Sequence, residues 1–290
     1  MTGSTTTTES LNVAVIGAGG KMGMRVSANL DKSGHDVRFS ENSPNGQDRV
    51  RAQGRELSEA SDAVRDADVV ILAVPDTALG AVSASVVPQM KSGSIVLTLD
   101  PAAAYAGLLA TRGDVTMAVA HPCHPSVFLE RYEKEQYADT FGGEAAPQNV
   151  VAAIESDDAA AKTRAEDVIR VIYGPVIDVH WVTVKQLAVL EPTLVETVAC
   201  MVGTLLKDAL YQTVHTAGVP EEAAKAILFG HIQIALTNTL RGSNPFSEGC
   251  EIAIQYGRET IIKDDWKKIF DDRELDTVIA RMLKLESIQH

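Results

Sequence analysis

Up to about residue 182 the chain alternates short apolar runs with segments of helical period. Runs at 11–16, 69–74, 94–99, 115–120, 149–154 and 176–179 are rich in Val and Ile and too short for helices. Strands buried on both faces read this way. Amphipathic stretches such as 77–90 and 159–173 separate them, and this alternation predicts a doubly wound, mainly parallel sheet. From Thr183 the strand signals stop, and helical patterns follow at about 184–217, 221–241, 247–263 and 272–287. Gly218-Val-Pro220 and the segment from Arg241 to Pro245 punctuate them. The pattern therefore predicts a polar leader at 1–10, a sheet domain at 11–183 and an all-helical domain at 184–290. Leu187, Leu190, Leu194, Val198, Met201, Leu205 and Leu210 keep near-helical spacing along the first long helix. So much apolar surface on one helix is expected to serve a homodimer.

The first apolar run breaks into Gly17-Ala18-Gly19-Gly20-Lys21-Met22-Gly23, and a helical pattern follows at once. Strand, tight turn and helix in that order suit a dinucleotide pyrophosphate. Gly17 permits the turn, Gly19 or Gly20 lets backbone approach the phosphates, and Gly23 lets the helix lie on the strand. Helix N–H groups and the helix dipole then hold the anion. The expected fold class is α/β, an N-terminal Rossmann sheet followed by an all-α C-terminal domain. Glu41, at the end of the second strand, is positioned to accept hydrogen bonds from ribose hydroxyls and to repel a 2′-phosphate. That favours NAD, although the glycine spacing also suits NADP, and Arg38, Arg49 and Arg51 are nearby cations. Val74 and Pro75, after a later strand, are expected along the adenosine–nicotinamide path. The expected cofactor set is thus Gly17 to Met22, Glu41, Val74 and Pro75.

In an open sheet of this kind the ligand lies off the carboxyl ends of the strands. Asp100-Pro101 ends one such strand, and Ala120-His-Pro-Cys-His-Pro125 follows the next. Histidines that precede prolines are held extended or in turns, not in helix. Imidazole is the usual acid–base group near neutral pH and a common metal ligand. Along the long helix Lys185, Glu191 and Glu196 interrupt apolar positions, and Pro192 should kink it. His231 and Asn238 share a face of the next helix; Ser247, Glu248 and Glu251 open the one after, where capping is an alternative role.

Composition narrows the class. The chain has 290 residues, 45% hydrophobic and 22% charged, as ordinary globular proteins do. A net charge of −13 leaves no basic stripe for nucleic acid. Cys123, Cys200 and Cys250 are widely spaced, so neither a disulfide framework nor a thiolate zinc site is expected, and a reducing cytoplasm fits. The N-terminus lacks the apolar core of a signal peptide, and no uninterrupted apolar run approaches the ~20 residues of a membrane span. A soluble protein with no membrane partner is expected.

Taken together, the glycine segment, Asn29-Leu30 and Ser33-Gly-His-Asp-Val37 resemble the opening of a group. It contains the 6-phosphogluconate, β-hydroxyacid and prephenate dehydrogenases and the ketol-acid reductoisomerases. His121-Pro122 resembles the prephenate dehydrogenase segment, with Cys123-His124 departing from it. Lys185 matches the lysine of the hydroxyacid dehydrogenases, but Val189 stands where they carry asparagine. The His-Pro-Cys-His-Pro segment, Leu190-Glu-Pro-Thr193 and Asp264-Asp-Trp-Lys267 resemble the D-apionate oxidoisomerase family, over nearly the whole chain. The resemblance implies a 6-phosphogluconate-dehydrogenase-like C-terminal domain and oxidation of a branched sugar acid coupled to migration of a carbon group. His121 and Glu191 would hold a divalent metal (Mg, Mn or Zn), which such a shift demands. His124 or Lys185 would take the hydroxyl proton, His121 and His231 completing the catalytic candidates. Lys185 or Arg241 would offset the substrate's negative charge. A metal-free 3-hydroxyacid dehydrogenase and a non-catalytic NAD-sensing dimer are the alternatives.

Overall fold

The computed structural model describes residues 10–289, so all of the expected leader but Ser10 lies outside the described residues. The chain forms two units: one runs to Val189 and includes the chain from Asp276 onward, and the other is Leu190–Leu275.

Seven strands form the sheet of the first unit: β1 (Asn12–Ile16), β2 (Asp36–Ser40), β3 (Val69–Leu72), β4 (Ile95–Thr98), β5 (Thr116–Pro122), β6 (Gln148–Ile154) and β7 (Val176–Trp181). They lie in the order β2-β1-β3-β4-β5-β6-β7. Neighbours are parallel except β5 and β6, which run antiparallel. Every residue of β3 and β4 is buried, which explains their unbroken Val/Ile/Leu composition. The helices of this unit are α1 (Lys21–Leu30), α2 (Pro44–Ala52), α3 (Ala60–Arg65), α4 (Asp76–Val86), α5 (Ala102–Tyr105), α6 (Lys134–Ala138), α7 (Ala159–Ile172) and α8 (Val184–Ala188). Along α7, Ala161, Ala165, Val168, Ile169 and Ile172 are buried, the spacing of one helical stripe. It packs against α1, whose Val26 and Leu30 join the same core.

Because chain order reverses direction across the sheet between β1 and β3, a crevice opens at the carboxyl ends of those strands. Gly17 turns there at φ +84°, left-handed backbone that glycine adopts without strain. At Gly23 a Cβ would stand 2.1 Å from the Gly17 carbonyl oxygen, so helix and turn approach closely only because that side chain is missing.

α8 continues without a break into a π-helical stretch, Val189–Cys200, and then α9 (Met201–His215). The expected disruption at Pro192 takes this form: the helix widens instead of breaking. The Thr197 hydroxyl donates to the Pro192 carbonyl at 2.7 Å, the five-residue reach that a π turn brings together. α10 (Glu221–Arg241) and α11 (Glu248–Ile261) follow. Among the described residues of this second unit only Glu191, Pro192, Thr193, Ala224 and Leu275 are buried. α10 exposes Ile227, Phe229, Ile234 and Leu240, and α11 exposes Ile252, Ile254, Tyr256 and Ile261.

Two features differ from the expected domain limits. The division falls after Val189, not at 183, because the Thr183–Gln186 capping box starts α8 while the chain still belongs to the sheet unit. The chain also returns: α12 (Asp272–Leu283) buries Ile279, Ala280 and Leu283, and its Asp276 accepts a 2.8 Å hydrogen bond from Tyr105 of α5. Periodicity marks α12 as amphipathic but does not say which surface it covers. The helix spanning Val184–His215 is also apolar enough to cross a membrane by length and composition alone, an 18-residue window within it reaching a mean hydropathy of 1.5. Glu191 and Glu196 divide this stretch, so it holds no long uninterrupted apolar run.

Candidate active site

At the carboxyl edge of the sheet the turns after β1, β3, β4 and β5 converge on one cleft of about 360 Å³. Its wall includes Gly20, Lys21 and Met22 from the glycine turn, Val74, Pro75 and Asp76 after β3, and Asp100 after β4. His121, His124 and Phe141 close the other side. The sequence-expected loop, strand ends and histidine pair therefore share one cavity.

Glu41 sits where β2 ends, and local donors hold its carboxylate. Oε2 accepts from the Gly19 N–H at 2.9 Å, and Oε1 accepts from the Ser43 N–H and hydroxyl, each at 2.8 Å. Burial pushes its pKa up, but these hydrogen bonds and one from the Asn42 N–H outweigh it, and the carboxyl lies below the usual range. The cations that could receive a 2′-phosphate are engaged: Arg49 donates to the Gly19 carbonyl at 2.8 Å and Arg38 to the Asp62 carbonyl at 2.9 Å. Arg51 stands 3.6 Å from Asp48.

His121 is the penultimate residue of β5, so its backbone is extended, as the following proline requires. Its Nδ1 lies 3.1 Å from the Leu99 carbonyl. A carbonyl only accepts, so this hydrogen bond places the proton on Nδ1 and leaves the Nε2 lone pair for a metal or a proton. Burial, helped by nearby His124, lowers the His121 pKa to about 4 even though the Leu99 hydrogen bond opposes the shift. The ring is therefore neutral at physiological pH. His124 takes a left-handed turn at φ 58°, and its Nδ1 lies 2.7 Å from the Phe141 carbonyl. The same argument places a proton on its Nδ1. The two rings stand edge to face with centroids 6.4 Å apart.

Asp100 lines the cleft beside His121, and its carboxylate caps the next turn by accepting from the Ala102 N–H at 2.9 Å. In the sequence it stands out only as the residue before Pro101 at a strand end. Phe141 and Asp76 were also missed; Phe141 lies in an irregular segment without periodicity. Burial raises the Asp76 pKa.

The other candidates are carried by α8 and the helical segments that follow it. Lys185 is exposed in the first turn of α8 and is not among the cleft-lining residues. Glu191 is 6% exposed at the start of the second unit, whereas Glu196 is exposed. His231 is exposed on α10, its Nδ1 bonded to the Ile227 carbonyl at 2.8 Å. Ser247 caps α11 by accepting from the Cys250 N–H, the capping role weighed for it.

A glycine turn at a sheet switch point, opening into a cleft with two imidazoles each held at Nδ1, defines a nicotinamide-dependent oxidoreductase. Comparison with known proteins agrees. Residues 7–171 match the model described as acetohydroxy acid isomeroreductase, NADPH-binding domain, and residues 129–283 match phosphogluconate dehydrogenase (decarboxylating) C-term. A protein named D-apionate oxidoisomerase from Pectobacterium atrosepticum is 64% identical over 96% of this chain and 97% of its own length. One of the same name from Cupriavidus necator is 41% identical over 93% of this chain and 98% of its own. The chain belongs to the D-apionate oxidoisomerase family. Among solved structures, a semialdehyde dehydrogenase NAD-binding protein from Cupriavidus necator, in complex with calcium and NAD, superposes with a TM-score of 0.90. It is 40% identical, covering 94% of this chain and 100% of that one. An NADH-preferring ketol-acid reductoisomerase from an uncultured archean shares the fold, with a TM-score of 0.65 at 18% identity over 94% of this chain and 82% of that one.

The histidine environment has a consequence for stability. Burial holds the folded-state pKa of His121 below its unfolded value, so its contribution is complete above pH 6.5 and is lost as pH falls toward 4. In EDTA-treated protein, urea titrations from pH 7 to 4 should show wild type losing on the order of 2 kcal/mol more than His121→Gln. Parallel pH profiles for the two proteins would contradict the assignment.

Proposed function

We propose that this enzyme oxidises D-apionate with NAD and couples that oxidation to a carbon shift, releasing a 3-oxo acid. The observation that carries the reading is the pair of imidazoles, each held at Nδ1 by a main-chain carbonyl, in the cleft that the glycine turn opens. The names of relatives up to 64% identical support the substrate.

Gly17 to Met22 take the pyrophosphate, Val74 and Pro75 flank the dinucleotide, and Glu41 accepts the ribose hydroxyls. A carboxylate already held against the glycine turn by Gly19 and Ser43 repels a 2′-phosphate, and NAD is the expected partner. Asp100, His121 and Glu191 offer one imidazole and two carboxylates, a donor set that could hold a divalent metal ion. The calcium bound to the Cupriavidus necator structure supports that assignment. A bound nicotinamide would supply the hydride acceptor, and a divalent ion held by these residues would supply Lewis-acid polarisation of substrate oxygens.

His124 Nε2 takes the proton of the secondary hydroxyl as hydride leaves its carbon, giving a ketone beside a tertiary carbinol. A carbon group then moves with its bonding pair from the carbinol carbon to the ketone carbon. The carbinol oxygen gives up its proton and becomes the new carbonyl, while the former ketone oxygen takes one up. Lys185 supplies positive charge for the substrate carboxylate, and His231 is a second acid–base group.

The exposed apolar residues of α9, α10 and α11 support a homodimer. On α10, Ile227 and Ile234 lie on one side and Phe229 and Leu240 on another. A helix apolar on more than one side is covered in its working state, and a second copy supplies matching helices. The same covering accounts for the membrane-like composition of the helix Val184–His215 without a bilayer, and the odd, scattered cysteines fit a cytoplasmic enzyme.

Four outcomes are expected. EDTA-stripped enzyme should lose at least about 100-fold of its NADH formation from D-apionate and regain it with Mg²⁺, Mn²⁺ or Zn²⁺. The product should show a rearranged skeleton by ¹³C NMR; metal-independent oxidation without rearrangement would instead mark a simple hydroxyacid dehydrogenase. Replacing Glu41 with Ser should shift the NAD/NADP ratio of kcat/KM toward NADP by about tenfold or more. Light scattering should give twice the chain mass, and Phe229→Glu with Ile234→Glu should abolish that species.

A further inference from the structure

His124 occupies backbone that side-chain-bearing residues avoid, so something outside β5 must hold it there. The support is Phe141: its carbonyl accepts from His124 Nδ1 at 2.7 Å, and its ring packs on the imidazole with centroids 4.5 Å apart. Phe141 itself belongs to no helix or strand. Its segment is gathered around the buried carboxylate of Asp139, the residue that immediately follows α6. Asp139 Oδ1 accepts from the Gly142 N–H at 2.8 Å. Its Oδ2 accepts from the N–H groups of Glu144 at 3.1 Å, Ala145 at 2.8 Å and Ala146 at 3.0 Å. Burial alone would raise its pKa, but the four donors together hold it below the usual carboxylate range.

The loop wound on this carboxylate is also tied to the dinucleotide helix. Arg25 donates to the Gly142 carbonyl at 2.6 Å, Asn29 donates to the Gly143 carbonyl at 2.9 Å, and the Arg25 guanidinium lies 4.2 Å from the Phe141 ring centroid. Gly142 and Gly143 are both left-handed, at φ 81° and 87°, which lets the main chain curl around a single side chain. No residue of this knot other than Phe141 lines the cleft.

We propose that Asp139 is a positioning residue: it fixes the Phe141 carbonyl so that His124 keeps its proton on Nδ1 and presents the Nε2 lone pair to the substrate hydroxyl. This rests on the reading of His124 as the base, and the test separates the two. In wild type, ¹⁵N-resolved NMR of the histidine rings should show His124 with Nδ1 protonated and Nε2 bare. In Asp139→Asn, where an amide replaces the carboxylate that faces four donors, that tautomer should give way to a mixture. kcat should fall about 10–100-fold, the effect typical of losing a group that orients a histidine, while the Kd for NAD changes less than about threefold.

A wild-type His124 carrying its proton on Nε2 would overturn the proposal, even if the variant failed to fold. So would a folded Asp139→Asn that kept both the wild-type tautomer and kcat. His124→Gln tests the base separately. If that variant retained kcat while Asp139→Asn still changed the tautomer, the positioning role would stand and the base assignment would fall.

Discussion

The first turn of α1 can approach β1 only because no side chain intervenes at Gly23, where a Cβ would lie 2.1 Å from the Gly17 carbonyl oxygen. This steric constraint sets the height of the helix over the sheet. From that height follow the position of the free N–H groups at the helix start and the floor of the cleft. Arg25 and Asn29, further along the same helix, tie down the loop that carries Phe141. A shift of α1 would therefore disturb the anion site and the support of His124 together.

A second theme is the use of main-chain carbonyls to decide what an imidazole can do. Leu99 and Phe141 each occupy one ring nitrogen, so both histidines meet the cleft through the other. Burial keeps His121 uncharged at neutral pH, which preserves its lone pair. In a chain of net charge −13 this matters: an uncharged His121 ring adds no repulsion toward a cation and leaves attraction of an anionic ligand to Lys21 and other local cations.

Much of this was legible in the sequence because it follows from periodicity or from residues with few conformational options. The seven strands, α7 and α10 follow apolar spacing; the turn at Gly17 follows from glycine, and the extended His121 from the proline after it. What stayed hidden depends on contacts between segments distant in the chain. Asp100 reads as an ordinary strand-end acid until β4 and β5 align it with His121. Asp139 sits in an irregular stretch where no period exists, and its partners are backbone groups that every residue carries. The return of α12 to the first unit is similar, since its Tyr105 contact spans most of the chain. Pro192 announced a disturbance but not its form, because a widened turn and a sharp bend begin from the same missing N–H.

The reversed pairing of β5 and β6 sets how this architecture can change over time. A parallel successor would have required a crossover running back beneath the sheet. Because β6 is antiparallel, the chain leaves β5 and enters β6 at the same edge, and the segment between Pro122 and Gln148 stays there, supplying His124 and Phe141 to one wall of the cleft. That wall is spliced in at a single edge of the framework. Lengthening or shortening it around α6 leaves strand registers and the glycine turn in place, so selection can remodel ligand preference as a module while dinucleotide chemistry is inherited intact.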